Sequence, residues 1–595
     1  MRSLETRLGG GVTALLFVFI FLPLLAVIVN VVFPGLFFGH LEFNNVSIVL
    51  EMFHRPLWKQ SLLNSLLLGV GTATLGTLIG GALAVMRSQW SFALGRYLDV
   101  AAWILLIAPS FLLAQGWVLF AGQGGLAAQS LGWSWVPAMV FQPSGLIVIM
   151  ALSKFPMAYL TVGAALDWSV SQYGNAARLC GARPFTVWRT VNLPLSAPAY
   201  FAGWILVFID TIGDFGLPAA LSTTYRFPTL PYSIYTAIYQ SPVRFDMAGV
   251  MAFYLVMILG AAMGLLVLAI RKSRFDFLNN RAVRTMPRKP RHAWLLNLSS
   301  GLLLLCCLGI PVGTSVAVSF IKRLGEGITL SNLTLSHYVA VLGGGGSDHS
   351  LLPLLKGFVH SLTIAGLAAL FSMIIGFFIA YVLTFTSFKF KGAIQIFSIV
   401  SLAVPGVVLG IGYIFIWNQK WLEPVGLNLY GKPALLVIAA VAGAIPYAVR
   451  VQLGSFASLS SSMLRAASVQ GASAWVRMGT IVLPMVRQSL LIATLAAFGT
   501  SVFDLALASM LQPSNYVLMS LVVDRAFEFS QYGYATAATV LGGGMTVVII
   551  VTLQWLGKAL FKRQDERKRK GAASFETDSG INTYKQAVRS NKGYS

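Results

Sequence analysis

The sequence predicts an all-α polytopic membrane protein, about 12 transmembrane helices in two parallel six-helix repeats. Three observations predict it. Of 595 residues, 57% are hydrophobic and 10% charged, and the mean hydropathy is +0.76, which excludes a soluble globular chain. Apolar runs of about 20 residues, the length that crosses hydrocarbon as a helix, recur along the chain. Residues also recur at a fixed offset of nearly half the sequence, the mark of an internal repeat.

The apolar segments fall near 11–34, 62–86, 98–121, 137–165, 196–221 and 247–270, and again near 295–320, 358–385, 394–417, 433–453, 488–511 and 537–561. Lipid offers no water to backbone groups, so each is expected as a helix. The first, GVTALLFVFIFLPLLAVIVNVVF, is too long for a signal-peptide core and lacks a small-residue cleavage site, which predicts a retained anchor. The connections 87–97, 271–292, 386–393 and the stretch after 561 carry Arg and Lys, whereas 122–135 carries no charge. The positive-inside rule then places both termini and the basic centre in the cytoplasm. Most of the formal charge of +23 resides in these connections, a pattern that suits a membrane surface and argues against a nucleic-acid partner. The organisation follows as a first half, 1–270, a basic linker, 271–294, a second half, 295–562, and a polar cytoplasmic tail, 563–595. Cys180, Cys306 and Cys307 form no ligand or disulfide framework and read as small packing residues.

Self-comparison sharpens the repeat. Pro156 and Pro446, Ala176-Ala177 and Ala466-Ala467, Gly181-Ala182 and Gly471-Ala472, Leu193-Pro194 and Leu483-Pro484, and Asp214 and Asp504 all stand 290 apart. Ser65, Pro109 and Gly116 match Ser361, Pro405 and Gly412 at 296, so the second half has a shorter outer loop. Halves with an even number of spans insert the same way up and suit a pseudo-two-fold axis along the membrane normal.

Two polar segments interrupt the apolar pattern at equivalent places, NAARLCGARPFTVWRTVNLP from 175 and RAASVQGASAWVRMGTIVLP from 465, within coupling segments spanning about 170–194 and 460–484. Val170 to Cys180 is expected as a short helix ended by Gly181 in a left-handed conformation. Pro184 suits the first turn of a linking helix, which Leu193-Pro194 is expected to end; in the second copy Ser473 is the expected cap. Small Ala pairs let such a helix seat in a groove of another protein. The bland alternative is an amphipathic helix on the headgroups.

At these residues the chain resembles the permease subunits of bacterial type I ATP-binding-cassette importers, in the fused two-half form of the ferric-iron, thiamine and aminoethylphosphonate permeases. Ala176, Ala177, Gly181, Ala182, Leu193 and Pro194, and Ala466, Ala467, Gly471, Ala472, Leu483 and Pro484, carry the resemblance. It implies a multi-pass protein of the bacterial inner membrane whose coupling helices dock on two copies of a separate ATPase subunit, with a soluble substrate-binding protein on the outer face. The family's glutamate is replaced by Asn175 and Arg465, and the acid that commonly precedes the glycine by Cys180 and Gln470, so any ion pair those acids make is absent. No G-x-x-x-x-G-K-[ST] loop occurs. The chain is therefore expected to be no enzyme and to hold no cofactor, with ATP and Mg on the partner subunits.

An ion-coupled secondary carrier also has twelve helices in parallel halves, but its acidic and basic signature between the second and third spans is replaced here by RSQWSFALGRY. Asp210, Asp214 and Asp504 are candidates for the solute path or its gate, since an acid near lipid is costly unless it faces a cavity or partner. The alternative is interfacial acids bonded to loops or capping a helix. Counting from Leu-Pro at 1.5 Å per residue puts Asp214 and Asp504 roughly 30 Å along, near the outer boundary. Acids along a path favour a cation such as ferric iron; the segment after the fifth span resembles ferric-iron permeases most, with aminoethylphosphonate and thiamine relatives as alternatives.

Overall fold

A computed structural model describes residues 2–34, 36–38, 47–166, 171–222, 227–272, 289–343 and 354–591. Most of the expected linker, 273–288, lies outside the described residues. Among the described residues eleven helices are long and apolar enough to cross a membrane, and one further apolar helix is shorter. The protein is a multi-pass, all-α membrane protein.

The helices that frame the site fall into two series in the same order. The first contains α1 (Thr6–Val32), α2 (Pro56–Gln89), α3 (Gly95–Ile107), α4 (Ser110–Ala121), α5 (Pro143–Ala165), α6 (Ser171–Leu179), α7 (Phe185–Ile212), α8 (Gly216–Ser222), α9 (Leu230–Tyr239) and α10 (Phe245–Lys272). The second contains α11 (Ala293–Ser319), α12 (Leu354–Phe385), α13 (Lys391–Val400), α14 (Gly406–Trp417), α15 (Pro433–Ala457), α16 (Ser461–Val469), α17 (Ala474–Val502), α18 (Leu505–Leu511), α19 (Met519–Glu528) and α20 (Tyr532–Asn591). No break separates the last span from the expected tail, because α20 runs on to Asn591.

Each half is built on three mutually packed helices, α2, α5 and α7 in one and α12, α15 and α17 in the other. The first span of each half leaves its own core and packs on the other half: α1 lies along α14, and α11 along α4. Glycine makes both crossings possible. A Cβ on Gly116 would sit on the carbonyl oxygen of Pro311, and one on Gly412 on that of Pro23. Tyr413, fully buried, donates its hydroxyl to the Phe19 carbonyl at 2.6 Å.

Two expectations need correction. The segments 98–121 and 394–417 are not single helices but are broken before Pro109 and Pro405, each in extended conformation, since proline cannot donate and clashes with the preceding turn. Leu193-Pro194 and Leu483-Pro484 do not end the linking helices either. The π-turns Trp188–Asn192 and Met478–Val482 precede these pairs, and the helix continues through the proline. The same device appears in α1, with Phe17–Phe21 before Pro23, and in α11, with Leu305–Gly309 before Pro311. Widening the turn moves the carbonyl with which the proline ring would collide.

Candidate functional site

The two polar segments fold into matching corners. Asn175, Ala176 and Ala177 lie on α6, and Arg465, Ala466 and Ala467 on α16. Gly181 and Gly471 each have φ of +84°, a conformation that only glycine adopts without penalty. The hydrogen bonds repeat bond for bond. The Ala182 N–H donates to the Ala177 carbonyl at 3.1 Å and the Gly181 N–H to that of Arg178 at 3.0 Å; their counterparts run from Ala472 to Ala467 at 3.0 Å and from Gly471 to Ser468 at 3.1 Å. This is the Schellman closure of a helix end. It projects Leu179 and Val469, 90% and 88% exposed, at the two tips. The caps that follow differ: Pro184 opens the first linking helix, while the Ser473 hydroxyl accepts from the Val476 N–H at 3.3 Å in the second.

From each corner one continuous helix leads to the acids. α7 carries Asp210 in its last turn, with Asp214 just beyond its end, and Asp504 likewise stands two residues beyond the end of α17. These residues line a cavity of about 260 Å³ between the halves, walled by Ser110, Lys154, Asp210 and Asp214 from one half and by Tyr447, Thr500 and Asp504 from the other. Pro109 and Pro405, where the broken spans open, also face it.

Lys154 was not among the residues singled out from sequence, and it organises this cavity. Its ammonium is 2.9 Å from Asp210 Oδ2 and 2.7 Å from Asp214 Oδ2. The Asp214 side chain is 4% exposed; its other oxygen accepts from the Ser110 hydroxyl at 2.8 Å and from the Leu217 N–H at 3.2 Å. A buried carboxylate is tolerable only when paired and bonded in this way. Asp504 accepts from the Leu507 N–H at 3.0 Å and caps α18, with no cation in ion-pair distance among the described residues. Both acids therefore cap a helix and face a cavity, two roles that the sequence presented as alternatives. Lys154 is the central residue of α5 (Pro143–Ala165). Asp214 consequently lies within a lysine's reach of mid-span, deeper than the outer boundary expected from counting residues. The signal for Lys154 was present as an ionisable residue inside an apolar run, but at the 290-residue offset it faces Ala444, so self-comparison passes over it.

Residues 372–566 match the family model described as the binding-protein-dependent transport system inner membrane component. The chain is 24% identical over 496 residues to the FbpB 1 permease protein of Haemophilus influenzae, covering 81% of this chain and 74% of that one. It is 22% identical over 563 residues to the ferric transport system permease protein FbpB of Actinobacillus pleuropneumoniae, covering 92% and 77%. Over 237 residues it is 27% identical to the spermidine/putrescine permease PotC of Escherichia coli, 39% of this chain and 82% of that one.

Proposed function

We propose that this chain, an ABC-importer permease by the match of residues 372–566 and by its likeness to ferric transport permeases, forms the path for ferric iron between its halves. In this reading residues 1–270 and 295–562 are the two permease halves joined by a cytoplasmic linker, and both termini are cytoplasmic. The corners at Gly181 and Gly471 dock on two copies of an ATPase subunit that binds ATP and Mg, and a soluble binding protein delivers solute from outside.

The observation that carries the proposal is the direct run from corner to cavity. α7 has 28 residues, about 42 Å of helix, with a glycine corner at one end and the Lys154-bound acids at the other. Its counterpart α17 ends at Val502, two residues before Asp504. A rod between a docking tip and a cavity wall turns movement of the tip into movement of the wall. Closure of the ATPase pair then shifts both walls together. For solute charge, the described residues of the cavity wall offer three carboxylates against one ammonium, an excess that suits a cation and opposes a phosphonate.

Reconstitution tests the reading. Proteoliposomes holding the chain with its ATPase subunits are expected to accumulate radiolabelled iron only with ATP inside and iron-loaded binding protein outside. Uptake driven by a proton gradient, without ATPase subunits, would overturn it in favour of a carrier.

A further inference from the structure

The Asp210–Asp214 pair already holds a cation, the ammonium of Lys154 at 2.9 and 2.7 Å. The arrangement belongs to one half alone, because the positions 290 residues on from Lys154 and Asp210 are Ala444 and Thr500. A pair kept for packing has no need to face a cavity, yet Lys154 and Asp210 are 14% and 31% exposed at its wall. Asp504 looks into the same cavity with no cation in ion-pair distance among the described residues.

Oxygen ligands alone bind a hard cation tightly, whereas transport requires a site strong enough to enter and weak enough to leave. Three bare carboxylates along the path would satisfy the first demand and fail the second. We propose that Lys154 is a tethered competitor for this carboxylate pair, a built-in counter-ion that a hard cationic solute displaces in transit and that afterwards takes the pair back, so that the solute is released. Asp504 receives whichever cation is displaced. The exchange breaks no covalent bond and needs no proton. It rests on the reading that the path carries a cation, and it assigns Lys154 to dwell time rather than to attraction.

The test measures binding separately from uptake. In the purified complex of the full chain with its ATPase subunits, citrate-buffered Ga³⁺, a redox-inert trivalent cation, is titrated by calorimetry. Lys154→Met is expected to bind it at least tenfold more tightly than the wild type and to lose at least tenfold in iron uptake. Adding Asp210→Asn is expected to reverse the tightening, and Lys154→Arg, which keeps the charge, to show none. Should Lys154→Met fail to assemble, Lys154→Gln removes the charge while its amide still donates to a carboxylate. Unchanged Ga³⁺ affinity in the neutral variants, or tightening that Asp210→Asn leaves in place, overturns the competitor role. Absence of iron uptake by the wild-type complex overturns the ferric reading alone, and the binding measurement still decides the role of Lys154.

Discussion

The corners and the cavity walls of the two halves have diverged to different degrees. At the corners the backbone repeats closely, with equal φ at Gly181 and Gly471 and the same closing bonds, although the side chains before the glycines differ. Among the charged residues of the cavity wall only Asp214 and Asp504 correspond, while Lys154 is matched by Ala444 and Asp210 by Thr500. Shape is duplicated where, in our proposal, the partner is duplicated. Charge is not duplicated where, in the same proposal, a single solute passes. A two-fold scaffold can therefore carry a one-sided site, provided the asymmetry stays in side chains.

The contrast can be broken most severely at the crossings both halves share. Gly116→Ala or Gly412→Ala places a methyl group on a backbone carbonyl that cannot retreat, and each is expected to cost about 3 kcal/mol, the upper end for overpacking. Loss of the monodisperse chain on size exclusion, equally in both variants, is the expected outcome; normal recovery of either would show that the crossing is looser than described. Next come the corners. Among the described residues, chain neighbours aside, no atom lies within 4 Å of a Cβ built on Gly181 or Gly471, so valine there is strained by backbone alone, on the order of 1 to 3 kcal/mol at each site. Gly181→Val with Gly471→Val is expected to leave the spans intact, to release the ATPase subunits on purification and to abolish uptake. Retained co-purification with full uptake would detach the corners from coupling.

At the cavity the halves are expected to differ. Asp214→Asn leaves the Lys154 ammonium with Asp210 alone and is expected to lower iron uptake about tenfold, near 1.4 kcal/mol, and Asp504→Asn to lower it less. Equal losses from the two would restore symmetry to the site. The smallest effect is expected at α9 and α19, whose registers are set alike by Leu230 N–H to Ser65 Oγ at 2.8 Å and Met519 N–H to Ser361 Oγ at 3.0 Å. On that register Tyr235 and Tyr239 stand where the second half has Asp524 and Glu528. Burial, then the charge of Glu528, pushes the Asp524 carboxyl up to about 7, with Arg525 pulling the other way. A carboxyl raised in the fold contributes stability below its unfolded value near 4, and that contribution is lost as pH rises through about 7. The thermal midpoint of the wild type is expected to fall between about pH 5 and pH 8, and that of Asp524→Asn to fall less. Parallel curves would remove Asp524 from the account.

Much of this was legible because lipid and glycine impose local rules. Apolar length reports a span whatever it packs against, and a glycine between a short helix and a linking helix reports a left-handed corner from its neighbours alone. The breaks at Pro109 and Pro405 were signalled by proline but hidden within continuous apolar runs. Leu-Pro was misread as a stop because the π-turn that rescues the helix has no composition of its own. Lys154 was overlooked because a repeat search rewards matches, and its importance lies in having none. That α1 belongs to the other half could not be read at all, since packing partners 394 residues apart leave no local pattern.

That last contact also has a cost in time. Phe19 leaves the ribosome long before Tyr413, the residue whose hydroxyl it accepts. At 5–20 residues per second, synthesis of the 394 residues between them takes roughly 20 to 80 s. Throughout that interval the Phe19 carbonyl and the face of α1 around Pro23 have no final partner, and the first span must wait in lipid, held by its length and hydrophobicity, until α14 arrives to claim it.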